Sequence, residues 1–266
     1  MLLYCVILAM LFFNIINFFN IVEMHRKCWH CKKEWFLVSV IILVVWVSSF
    51  YGAGISGGFS FNIIVFSLTG CLGFAFHKEV DREKILLASV IAFLILIFAL
   101  WKLYICGFEI IQVLGLITSF VAGVSIYLYV KYSFALSEKA GLSATQILAT
   151  RYYIMIIFLL FIIPKNSVDI TLKAADLYLY LSILAISVVS FIIPLFLVQK
   201  GIIKSGVDMH VMIMAFIPFF TSIIEVLFGD NFDTTEIVFS VILACILLYD
   251  KRYKLIETLH KPTRET

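Results

Sequence analysis

Apolar runs of about 20 residues follow one another along this chain, each long enough to cross the hydrocarbon core of a bilayer as a helix. Backbone N–H and C=O groups find no water there, so such runs must close their hydrogen bonds within the segment or in a barrel. Short charged or glycine-containing breaks divide the runs at roughly 2–22, 35–52, 59–76, 85–101, 109–130, 144–163, 177–199, 207–228 and 236–249. The expected fold class is all-α, a polytopic membrane bundle of nine transmembrane helices. With 63% hydrophobic and 14% charged residues in 266, no room is left for a soluble catalytic domain. Residues 2–22 lack a preceding Lys or Arg, and the run is too long for the apolar core of a signal peptide, so a retained helix is expected.

Orientation follows from where the 20 Lys and Arg residues fall. Alternate breaks hold Arg26, Lys27, Lys32 and Lys33; Lys78, Arg82 and Lys84; Lys131 and Lys139; Lys200 and Lys204; and Lys251, Arg252, Lys254, Lys261 and Arg264. The opposite breaks hold only Lys102, Lys165 and Lys173, and Arg151 lies inside a run. A 16-to-3 split places the C-terminus in the cytoplasm by the positive-inside rule, with Met1 outside and residues 251–266 as a cytoplasmic basic tail. Trp35 and Trp101 stand at run ends, as interfacial anchors do. The six cysteines are mostly scattered in apolar runs and imply no disulfide framework. Cys28 and Cys31, beside His25 and His30, are weak metal candidates, because one ligand pair does not complete a tetrahedral site; no metal or other cofactor is expected.

Arg151 is the most informative single residue. It sits in ATRYYIMIIFLLFII, and a guanidinium in hydrocarbon costs roughly 2.5–3.5 kcal/mol on insertion scales. A buried partner or an aqueous cavity is the expected compensation. Phe76–Ile85 and Phe228–Ile237 each follow an apolar run with an acidic break, and Asp81 and Asp233 stand 152 residues apart. The first break is basic and the second has no Lys or Arg, as two units of opposite orientation require; binding sites of inverted-repeat transporters lie near the midplane between such units. By this offset the first repeat, residues 1–102, has no counterpart for the run at 109–130 that opens the second, residues 103–250. Either a nine-helix variant or a missing upstream helix accounts for this.

Several segments resemble the drug/metabolite transporter superfamily, EamA-type. Gly115–Lys131, GLITSFVAGVSIYLYVK, looks like the family's repeat-opening helix, and Leu142–Arg151, LSATQILATR, like the approach to the next helix with its arginine. Pro218 followed by Gly229 and Asp230 resembles the family's Pro-to-Gly-Glu ending with Asp for Glu; Glu79 fits the matching acid of the first half, where Phe66 replaces the expected proline. The resemblance covers residues 34–250 and implies ten helices in two inverted five-helix repeats, so that this chain would lack the first.

Candidates for the substrate pathway are Arg151, Tyr152, Tyr153, Asn14, Asn17, Trp46, Ser119 and Tyr127. The tyrosines following Arg151 could line a cavity, or Arg151 could cap a neighbouring helix's carbonyls or reach toward the cytoplasm. Asn14, Asn17 and Asn20 share one helical face, which serves either interhelical hydrogen bonding or a pore. Glu225, His210, Glu79 and Asp230 are coupling or gating candidates; Pro194 and Pro218 interrupt helices and are candidate flexure points. Walker, glycine-rich nucleotide, zincin and nucleophile-elbow motifs are missing from the sequence, so enzymatic activity is not expected. The resulting expectation is a secondary transporter of the cytoplasmic membrane, exporting a small polar or amphipathic metabolite or drug by alternating access. Its partners would be that substrate and the lipid bilayer, without nucleic acid, as a monomer or a homodimer. The alternative is a truncated accessory or scaffold protein that transports nothing.

Overall fold

The computed structural model of the chain describes residues 2–76, 82–162, 184–185, 187–228 and 233–246. Among these the structure is helical: α1 (Leu2–Ile16), a 3-10 turn (Phe18–Asn20), α2 (Ile21–His30), α3 (Lys32–Ser56), α4 (Gly58–Ala75), α5 (Arg82–Cys106), α6 (Ile110–Ala140), α7 (Ala144–Thr150), α8 (Tyr153–Ile162), a π-helical turn (Val188–Ile192), α9 (Ile193–Met214), α10 (Ile217–Phe228) and α11 (Thr234–Ile246). Five spans are long and apolar enough to cross a membrane: α3, α4, α5, α6, and α7 with α8 as Ala144–Ile162. Each of two bent pairs could supply one more, for up to seven. The structure thus supports an integral, multi-pass helical protein, while its spans among the described residues do not add up to nine.

The differences have local causes. The run at 2–22 is not one helix, because the chain turns by 77° between Cys5–Ile16 and Phe18–His30. Asn17 at the turn donates through Nδ2 to the Phe13 carbonyl at 2.7 Å, and Asn14 donates to the Met10 carbonyl at 2.8 Å; such side-chain bonds compete with the helical ladder and bend it. The break expected between the runs at 177–199 and 207–228 is present at Gly206, where φ is +75° and two helices meet at a kink within α9. The beginning of the first run lies outside the described residues, and its helix continues past Lys200 and Lys204 before that kink. A further break, not expected, comes before Ile217, where α9 and α10 are bent by 52°, and Pro218 is the second residue of α10. Proline at the start of a helix forfeits no intrahelical bond.

The chain divides into two compact units, one drawn from Met1–Val44 and Leu128–Val207, the other from Val45–Tyr127 and Asp208–Thr266. In the second, Ile63, Ile64, Phe74, Ile91, Ile95 and Phe98 form a buried core, with Phe239 edge-on to Phe98 at 5.1 Å. Gly123 lets α6 approach α4 closely: a Cβ there would meet the Val65 carbonyl oxygen at 2.9 Å, and Thr69 Oγ1 bonds both that oxygen and the Gly123 carbonyl. Small residues that admit such close approach are a usual basis of helix association in bilayers.

In the first unit, the turn from α6 into α7 positions Arg151. Gly141 takes φ +61°, a left-handed conformation that L side chains resist, and its N–H bonds the Ser137 carbonyl to end α6. Ser143 then opens α7 with a capping box: its Oγ accepts from Gln146 N–H, and its own N–H donates to Gln146 Oε1. After seven helical residues α7 ends on Arg151 as C-cap.

Candidate functional site

Arg151 is 1% exposed, and its neighbour Tyr152 is fully buried. The guanidinium lies over two aromatic rings, 4.6 Å from the Tyr152 centroid and 5.1 Å from that of Tyr129. Its NH2 donates to the Tyr152 hydroxyl at 2.5 Å, and its NH1 donates to the Tyr129 hydroxyl, with Gln199 Oε1 a longer contact at 3.5 Å. The chain of donors runs on: Tyr129 O–H donates to Gln199 Oε1 at 2.5 Å, and Gln199 Nε2 donates to Ser133 Oγ at 2.8 Å. Tyr129, Ser133 and Gln199 are all buried. Tyr129 and Ser133 are spaced i, i+4 on one face of α6, while Gln199 comes from α9, so three segments converge on one cation.

Every one of these partners is neutral. Among the described residues no carboxylate pairs with Arg151, and its buried Nε has no hydrogen-bond partner. Cation–π contacts recover about 2 kcal/mol each where water is excluded. An ion removed from water still costs several kcal/mol after relaxation. Two donors in the plane of a fork suit a carboxylate or phosphate better than a point charge would.

The other pathway candidates divide. Tyr153 stacks with His25, centroids 5.8 Å apart at 14°, and its hydroxyl meets His25 Nε2 at 2.9 Å. Asn14 Nδ2 donates to the Ala149 carbonyl at 3.1 Å, and Asn17 Oδ1 accepts from Thr145 Oγ1 at 3.2 Å. Trp35 Nε1 donates to the Thr150 carbonyl at 3.3 Å. The asparagine face therefore lies against α7, and together with Trp35 it supplies donors to the carbonyls that α7 leaves open where it stops at Arg151. Cys28, buried, makes a 3.8 Å thiol contact with Thr150 Oγ1; among the described residues no three His, Cys, Asp or Glu side chains are grouped to hold a metal ion.

Trp46, Ser119, Tyr127 and His210 belong to the second unit. Trp46 stacks on Phe50 at 5.9 Å, Tyr127 on Phe76 at 6.0 Å, and Ser119 donates to the Gly115 carbonyl of its own helix at 2.7 Å. His210 is buried with Nε2 unpartnered among the described residues. Pro194 is exposed, directly after the π-helical turn, and Pro218 is buried at the start of α10. Glu79, Asp230 and the Glu225 side chain lie outside the described residues.

Sequence reasoning missed Tyr129, Ser133 and Gln199, and also an ion pair in the second unit. There Lys102 Nζ meets Glu236 Oε1 at 2.5 Å, and Ser60 Oγ donates to the same oxygen. The isolated glutamine in FLVQKG and the i, i+4 polar pair on α6 were the available signals.

No family model matches the chain, and neither a curated protein nor a solved structure matches it.

Proposed function

We propose that this protein is a secondary transporter of the drug/metabolite type, moving a small polar or amphipathic metabolite across the cytoplasmic membrane by alternating access. The observation that carries the reading is Arg151, a guanidinium enclosed in a membrane-length helical segment by partners that are neutral among the described residues, where one of its N–H groups finds no acceptor. Ionisable groups at such depth mark substrate or ion pathways by default. In this reading the Tyr129–Gln199–Ser133 chain positions the fork, and a carboxylate, phosphate or polar acceptor on the substrate completes it. The sequence resemblance adds two inverted repeats, export as the direction, and exchange or proton coupling as the energy source. The charge split adds a cytoplasmic C-terminus.

A non-transporting accessory protein is the second reading. It is favoured by the closeness of the cage around Arg151, since a scaffold arginine needs no ligand, and by the use of Asn14 and Asn17 in helix packing. Metabolite profiling of cells and medium, with and without the protein, separates the two. A transporter shifts at least one metabolite between cell and medium; equal profiles with the protein folded in the membrane favour the accessory role.

A further inference from the structure

We infer that α2 is an in-plane helix that binds anionic phospholipid headgroups at the basic end of the first unit. Two dimensions set its orientation. At 1.5 Å per residue a ten-residue helix is about 15 Å long, and turned by 77° it advances only about 3 Å along the α1 axis. α2 therefore runs nearly crosswise to the apolar α1. Its composition forbids the hydrocarbon interior: Glu23, His25, Arg26, Lys27 and His30 fall within Ile21–His30.

The helix buries one face and exposes another, on which Arg26 lies between Val22 and Trp29. Met24 and Cys28, one turn apart, are buried against the unit. Val22 and Trp29, seven residues apart on a second face, are 79% and 73% exposed, and Phe19 just before the helix is 97% exposed. Arg26 lies on the exposed surface, and Lys32 and Lys33 continue it at the start of α3. Lys27 is partly neutralised by Glu23 at 2.8 Å, which leaves Arg26, Lys32 and Lys33 as the cationic set. Exposed aromatic and aliphatic side chains beside a cationic row are what an interfacial helix needs, because the apolar sector enters the acyl boundary while the cations meet phosphates. The stacked pair His25–Tyr153 holds α2 to α8, so the surface is a fixed part of the unit.

The test uses the full-length protein in nanodiscs of phosphatidylcholine, alone or mixed with phosphatidylglycerol, and native mass spectrometry of the lipids retained on release. Wild type should retain phosphatidylglycerol in preference to phosphatidylcholine, increasingly so at low salt. R26Q, K32Q and K33Q should each weaken that preference about five-fold, as expected for one cation near an anionic surface. These positions are exposed, so melting temperatures should stay put; K204Q, a basic change elsewhere, should leave the preference intact. The fluorescence difference between wild type and W29F should be quenched by phospholipid brominated near the headgroup and spared by phospholipid brominated at the acyl terminus. An undiminished preference in the combined R26Q, K32Q and K33Q variant overturns the proposal. Equal competition by inorganic phosphate makes the site a free-anion site and overturns it too, as does quenching only from the bilayer centre.

Discussion

The Tyr129 hydroxyl donates to Gln199 Oε1 at 2.5 Å and accepts from the Arg151 guanidinium, so one phenol on α6 joins the cation on the α7 terminus to an amide on α9. Because the phenol is used in both directions, truncating it leaves both a buried guanidinium and a buried amide short of a partner. A buried donor or acceptor left without its partner costs about 1–3 kcal/mol.

Tyr129→Phe should accordingly lower thermal stability by about 1–3 kcal/mol in the presence of Arg151 and by clearly less in an Arg151→Leu background. Melts of the two single variants and the double variant in detergent measure the coupling. Additive effects would show that the two side chains do not act as one network.

The asparagine face should behave as packing. Asn14→Leu removes the donor to the Ala149 carbonyl, and Asn17→Leu the acceptor from Thr145, so each should cost about 0.6 kcal/mol and at most about 1.7. The expected signature is a reduced yield of folded protein and a lower melting temperature. Unchanged stability with impaired transport would instead place these residues in a pathway.

Close helix approach makes a glycine prediction with an internal control. Gly123→Ala drives a methyl to 2.9 Å from a backbone oxygen and should destabilise by about 1–3 kcal/mol. Gly54→Ala, also within a helix, meets nothing within 4 Å and should be neutral or stabilising by up to about 1 kcal/mol. Paired melting curves decide it.

Much of the architecture was legible because hydropathy reports what the bilayer requires. Runs at 35–52, 59–76 and 85–101 correspond to Lys32–Ser56, Gly58–Ala75 and Arg82–Cys106, and the structure lengthens the first and third at both ends. The run at 109–130 continues as a helix to Ala140, past Lys131 and Glu138, because charge marks the end of hydrocarbon and not the end of a helix. The bend at Asn17 was hidden for a related reason: asparagine is tolerated in an apolar run, and only the structure reveals that its amide takes a backbone carbonyl. At the site, Arg151 announced itself by its cost, whereas Tyr129, Ser133 and Gln199 are individually inexpensive and gain meaning only from converging on it. Tyr153, adjacent to the cation in sequence, instead pairs with His25.

Native cysteines test the orientation drawn from charge. Cys106 is exposed at the end of α5, on the expected outer side, and Cys31 is partly exposed on the expected cytoplasmic side. An impermeant maleimide should label Cys106 in intact cells and Cys31 only after permeabilisation, read by mass spectrometry of the labelled peptides. The reverse pattern would invert the topology.

The central claim, that Arg151 acts in transport through its planar fork, is tested most directly by transport of the metabolite found by profiling, normalised to folded protein, in Arg151→Lys, Arg151→Gln and Arg151→Leu. Lysine keeps the charge but cannot reach two acceptors in one plane, so the account predicts that both Lys and Gln impair transport with stable protein still present. Leu should abolish transport while leaving the melting temperature equal or higher, since it removes the desolvation cost of a buried ion. Near-normal transport by the Leu variant would contradict the account.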